Sequence, residues 1–176
     1  MTSLHLSLAI PIAAELHRLR ERYGVEPTVR VYDPPEGDTS LGSTQGTTIS
    51  CNAHWFAEPI RKLVEAARIG DVRGDPGMPT FHARLPEPRQ FAVHEFGHCL
   101  WNARLHTIPE FVRFRDAGYA AVLADPRTAP SGYSLAHPDE FFAEAFCCAE
   151  IGGEALRANP FVAEMRRLLE MTWPSG

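Results

Sequence analysis

Residues 93–98 read Val-His-Glu-Phe-Gly-His, and residues 138–146 read Pro-Asp-Glu-Phe-Phe-Ala-Glu-Ala-Phe. In the first stretch His94 and His98 are one helical turn apart, so both imidazoles leave the same face of a helix toward one point. Phe91, Trp101 and Leu105 share that face, and the spacing predicts a helix from about Pro88 to Leu105. Gly97 offers a close-packing point beside the second histidine. Glu95 neighbours the histidine face, the place from which a carboxylate addresses a metal-bound water rather than the metal itself.

Two neutral nitrogens and one carboxylate hold Zn2+ while leaving a position open, and the third ligand has to come from elsewhere in the chain. The extended pattern HExxHxxGxxH needs Gly at 101 and His at 104, where this chain has Trp101 and Arg104. His106, the nearest histidine after the motif, lies two turns beyond His98 and near the helix end, which disfavours it as the ligand without excluding it. The second stretch supplies a carboxylate. Glu140 and Glu144 fall at i, i+4 on one face of a helix whose Phe141, Phe142 and Phe146 mark it as packed. One carboxylate binds the metal and the other accepts the outward N–H of a ligand histidine. We assign Glu140 to Zn2+ and Glu144 to the histidine, with the reverse as the alternative. Asp139 reads as a helix N-terminal residue favoured by the dipole.

Outward from these helices, Ile12, Leu16, Leu19 and Tyr23 predict a helix over 12–23 that ends at Gly24. Residues 28–32 (TVRVY) and 47–52 (TTISCN) read as strands, and the Pro-, Gly-, Ser- and Asp-rich residues 33–46 between them as a loop. Residues 55–69 read as an amphipathic helix and 70–89 as a long connector, a place where functional walls and lids are often found. Helices follow over 109–124, 138–151 and 160–171. The expectation is one α+β domain over 1–176. Residues 1–90 carry the first helix, strands and connector, and 91–176 the two site helices. A small twisted sheet packs on the central HExxH helix, with a mostly helical C-terminal half.

Composition narrows the function classes. A net charge of -5 with scattered Lys and Arg gives no clustered basic footprint, which argues against nucleic acid or an anionic membrane surface as partner. No run approaches the ~20 apolar residues of a membrane span. Residues 1–11 lack the basic start of a secretory signal. The four cysteines, Cys51, Cys99, Cys147 and Cys148, form no CxxC pair. A reducing, cytoplasmic setting is therefore the default, with non-classical export left open. Cys147 and Cys148 read as small core residues.

The pair of motifs, VHEFGH followed by SGYSLAHPDEFFAEAF (residues 131–146), resembles the catalytic domain of anthrax lethal factor and its relatives, which include the Pro-Pro endopeptidases. The resemblance is dense from Val93 to about Ala149 and thin upstream. It implies a zincin-like metallopeptidase fold with Glu140 as third ligand and Glu144 behind a histidine. It also implies that Tyr133, seven residues before Glu140, donates its phenol to the oxyanion of a tetrahedral intermediate. In zincins an edge strand before the active-site helix pairs with an extended peptide substrate. Residues 47–52 are the candidate for that edge, with an ordinary interior strand as the other reading.

The leading expectation is a zinc metalloendopeptidase cutting a protein partner, with a toxin or effector domain as a candidate role. A zinc-stabilised protein-interaction module without catalysis is the alternative, disfavoured because neither Glu95 nor Tyr133 is needed to hold zinc. A zinc hydrolase of a non-peptide amide is the third, disfavoured by a strand-like groove.

Overall fold

The computed structural model describes residues 3–38, 40–59 and 87–174. Helix α1 (Leu6–Tyr23) begins six residues before the periodicity predicts, at an N-cap where the His5 ring accepts from the Ser7 N–H. Pro11 lies inside this helix and removes one i→i−4 bond, which is why its first turns are hard to read from sequence. The burial of Leu8 and Ile12 compensates. Gly24, at φ 64°, caps the helix by donating to the Arg20 carbonyl.

Three strands follow: β1 (Thr28–Tyr32), β2 (Gly42–Gln45) and β3 (Thr48–Asn52). Their order in the sheet is β1-β3-β2, with β3 parallel to β1 and antiparallel to β2. Two expectations change here. The stretch 33–46 is not all loop, because Gly42–Gln45 is a strand. The candidate edge, residues 47–52, is an interior strand: β3 is hydrogen-bonded on both sides, and Ile49 to Asn52 are all buried. Among the described residues the two edges of the sheet are β1 and β2, and β2 is the edge that lies against the HExxH helix. Gly46 and Thr47 form the two-residue connection between β2 and β3. Gly46, at φ 59°, occupies the first loop position, where hairpins of this length favour glycine.

Helix α2 (Ala53–Phe56) starts directly after β3, and the Asn52 side chain caps it by accepting from the His54 N–H. Most of the predicted helix 55–69 and of the connector 70–89 lies outside the described residues. Helix α3 (Glu87–Ala103) is the centre of the structure, with residues from Gln90 to Trp101 buried almost all round. It lies against β2 and β3 on one side, α1 on another and α5 on a third. Helices α4 (Pro109–Ala124), α5 (Pro138–Ile151), α6 (Glu154–Arg157) and α7 (Pro160–Thr172) complete the chain. The result is an α+β, mostly helical fold with a small three-stranded sheet. Among the described residues no helix is long and apolar enough to cross a membrane.

Two contacts set the position of the site. At Gly97 a side chain would meet Phe146 Cδ1 at 3.1 Å and Ala143 Cα at 3.3 Å, so α3 and α5 approach almost backbone to backbone there. That approach brings the first two turns of α5 over the histidine face of α3. Phe141, Phe142 and Phe146 are fully buried around it, each worth about 1.5–3 kcal/mol. Ion pairs then fasten α1 to both helices: Glu15 to Arg89 of α3 at 2.7 Å, and Arg18 to Glu150 of α5 at 2.8 Å. Tyr23 also donates to Glu150. All four cysteines are buried and free, consistent with packing roles.

Candidate metal centre

His94 and His98 face each other across one turn of α3, with Nε2 atoms 3.2 Å apart. Glu140, in the first turn of α5, brings Oε2 to 3.0 Å from His94 Nε2 and 3.4 Å from His98 Nε2. Glu144, one turn further along, accepts at 2.7 Å from Nδ1 on the other side of the His94 ring. Once a cation displaces the proton from Nε2, that bond keeps the remaining His94 proton on Nδ1 and leaves the Nε2 lone pair to ligate. Three electron-pair donors thus converge on one point. The triangle of 3.0 to 3.4 Å matches the ligand separations of roughly 3.3 Å in a tetrahedral site with bonds of about 2.0–2.1 Å.

The charge balance around this triangle also calls for a cation. Glu95, Asp139, Glu140 and Glu144 line one cleft of about 360 Å3, and no Lys or Arg is among the described residues lining it. Arg115 reaches in from α4 and pairs with Asp139 at 3.0 Å, which leaves three carboxylates. Glu144 is buried, and its Oε2 has no hydrogen-bond partner among the described residues. Burial opposes charging of His94, but hydrogen bonds to Glu140 and Glu144 outweigh it and hold its pKa well above the usual value. Burial alone would raise the Glu140 carboxyl; hydrogen bonds from His94 and His98 instead hold it far below the usual range. The cluster therefore attracts positive charge, and its donor set fits a divalent cation.

The rest of the cleft surrounds this triangle. Glu95 is buried, lies outside the three-atom cluster, and accepts a 2.6 Å hydrogen bond from Thr44 Oγ1 on β2. Tyr133 sits in a short 3-10 turn (Tyr133–Leu135), its ring centroid 5.8 Å from that of His94. Tyr119 donates to the Leu135 carbonyl, and buried Ser134 bonds with Ser131, so this turn is held from two sides. Gly42, Ser43 and Thr44 form the facing wall, with Trp101 and Asn102 at one end. The Arg115 guanidinium lies over the Trp101 ring at 4.4 Å.

The structure brings together all six sequence-predicted residues, His94, Glu95, His98, Tyr133, Glu140 and Glu144, in this one cleft. His106 is not part of it; its ring bonds to the Trp101 carbonyl. His137 caps α5 and lines the cleft, whereas His54 packs edge-on against Trp55. His82 lies outside the described residues. Asp139 does sit in the first turn of α5, and it also pairs with Arg115. Sequence reasoning missed Thr44 because it lay in the stretch read as loop. The available signal was Gly46-Thr47 followed by a strand, a two-residue hairpin connection.

Glu144→Gln tests the carboxylate behind His94. The amide keeps the shape but loses the charge that raises the basicity of the ligand. Metal affinity is expected to fall by about 10–100-fold, measured by competition against a chromophoric chelator. Unchanged affinity would remove Glu144 from the metal centre. In comparisons with known proteins, no family model, curated protein or solved structure matches this chain.

Proposed function

We propose that this protein is a zinc-dependent endopeptidase with a zincin-like fold, of the kind that the lethal factor resemblance implies. The observation that carries the reading is the division of the cleft's carboxylates. Glu140 joins the two histidine Nε2 atoms, while Glu95 stays out of that cluster and faces the same cavity. A site built only to hold zinc needs the first arrangement and not the second. Bound there, zinc with three protein ligands supplies Lewis acidity and a nucleophilic water at neutral pH.

The chain's own groups have separate tasks. His94, His98 and Glu140 bind the ion, and Glu144 fixes the His94 tautomer. Glu95 takes the proton of the attacking water and delivers it to the leaving amine. Tyr133 donates its O–H to the oxygen on which negative charge develops. The substrate lies extended along β2, whose outer edge carries backbone groups that no neighbouring strand pairs among the described residues. In this role Gly42–Gln45 replaces residues 47–52. In this reading the substrate is a protein or peptide, with a toxin or effector protease as the candidate role.

A peptide library incubated with the zinc-loaded and the chelator-stripped protein tests the reading. Cleavage by the loaded form alone is expected; no cleavage of any peptide would count against it. Tyr133→Phe is expected to lower kcat by about 10²–10³-fold with unchanged zinc content. A variant that turns over at the wild-type rate removes Tyr133 from the reaction.

A further inference from the structure

Thr44 is the one residue of the edge strand whose side chain reaches the proposed general base. Along β2, Ser43 and Gln45 are exposed while Gly42 and Thr44 turn inward toward α3. Thr44 Oγ1 stands 2.6 Å from Glu95 Oε2 and 3.4 Å from the Glu95 carbonyl. A hydroxyl has one proton to give, and the shorter contact to the charged acceptor takes it. Among the described residues no hydrogen bond reaches the other carboxylate oxygen, Oε1. A glutamate on a helix has three side-chain torsions, so a single tether at one oxygen decides where the second one points.

The strand bearing this tether is itself fastened to α3. Asn102 donates to the Gly46 carbonyl at 3.1 Å, so the hairpin turn is pinned to the end of the helix whose middle carries Glu95. Thr44 and Asn102 thus link β2 to α3 at two points, one of which is the base. We propose that Thr44 is a positioning residue for Glu95: its hydroxyl holds Oε2 so that Oε1 is presented to the reacting water. The edge strand on which the substrate backbone lies then also sets the orientation of the base. This rests on the endopeptidase reading for its kinetic consequence, but the placement of Glu95 by Thr44 can be tested without turnover.

Thr44→Val removes the hydroxyl and keeps the shape, while Thr44→Ser keeps the hydroxyl and removes the methyl. In the zinc-loaded full chain, Thr44→Val is expected to lower kcat on the order of tenfold or more, the value of a lost hydrogen bond to a charged group, with KM little changed. Zinc content and Tm should stay at wild-type values. Thr44→Ser should restore most of kcat, an outcome that lost packing alone does not produce. Crystal structures of the same proteins give the second readout. The Glu95 carboxylate should keep its orientation in wild type and Thr44→Ser, and be displaced or split in Thr44→Val. Thr44→Ala serves the same comparison if the valine variant does not fold. An undisplaced Glu95 in the variant without the hydroxyl overturns the proposal, as does a serine variant as slow as the valine one. A wild-type protein that cleaves no peptide, together with a displaced Glu95 in Thr44→Val, overturns the function and leaves the positioning intact.

Discussion

Replacing Glu95 by Gln is expected to leave zinc bound and to lower turnover by about 10²–10⁴-fold, the range that a positioned general base supplies. Zinc retention follows from geometry: Glu95 is not one of the three atoms that converge, and its held oxygen points to Thr44. The amide has the same shape and still accepts from the Thr44 hydroxyl through its own oxygen, so the cleft wall need not move. What it lacks is an atom basic enough to take a proton from water. Metal analysis and kcat on one cleaved peptide, measured on the same preparation, separate the two effects. A variant that cleaves at the wild-type rate means the base is another group. A variant that loses both zinc and activity means Glu95 supports the metal centre and not the chemistry alone. Because an interaction module needs no base, a wild-type protein with zinc but no turnover, and a Glu95→Gln variant with identical partner binding, would favour the non-catalytic alternative.

The two site helices were legible because local and long-range signals agree in them. Pro138 at the first position of α5, the Phe run behind it and the His-to-His spacing of α3 each point to a helix and to the face it buries. From that face the convergence of His94, His98 and Glu140 follows, and Gly97 supplies the close approach that makes it possible. The sheet was less legible. Gly42–Gln45 is short and polar, with no apolar alternation, and becomes a strand only because β3 pairs with it. Strand order depends on which partner lies on each side, and the pattern of residues 47–52 is the same for an edge and for an interior strand. Hence Thr44 was out of view, although it lies beside the most visible motif in the chain. The ion pairs of Glu15 with Arg89 and Arg18 with Glu150 join residues far apart in sequence, and no local pattern announces them.

Replacing Glu140 by Ala is expected to reduce zinc affinity by well over the 10–100-fold that separates a supporting partner from a ligand. Glu140 is the only carboxylate of the described residues whose oxygen lies near both histidine Nε2 atoms, at 3.0 and 3.4 Å. Glu144 cannot take its place, since it bonds to Nδ1 on the far side of the His94 ring and is buried against α3. Two imidazoles alone remain, a set that holds zinc weakly. The fold itself should survive. Glu140 is partly exposed, alanine is a good helix former, and Asp139 still meets the positive end of the α5 dipole. Zinc that binds only the native state raises Tm in proportion to the logarithm of its concentration over Kd. Addition of zinc should therefore raise the wild-type Tm and leave that of Glu140→Ala nearly unchanged, while the two metal-free proteins melt close together. A Glu140→Ala protein that retains zinc through dialysis against a chelator, or gains the same Tm increment, would place the third ligand elsewhere. Glu144→Ala would then be the variant to compare, and loss of zinc there alone would exchange the roles of the two carboxylates.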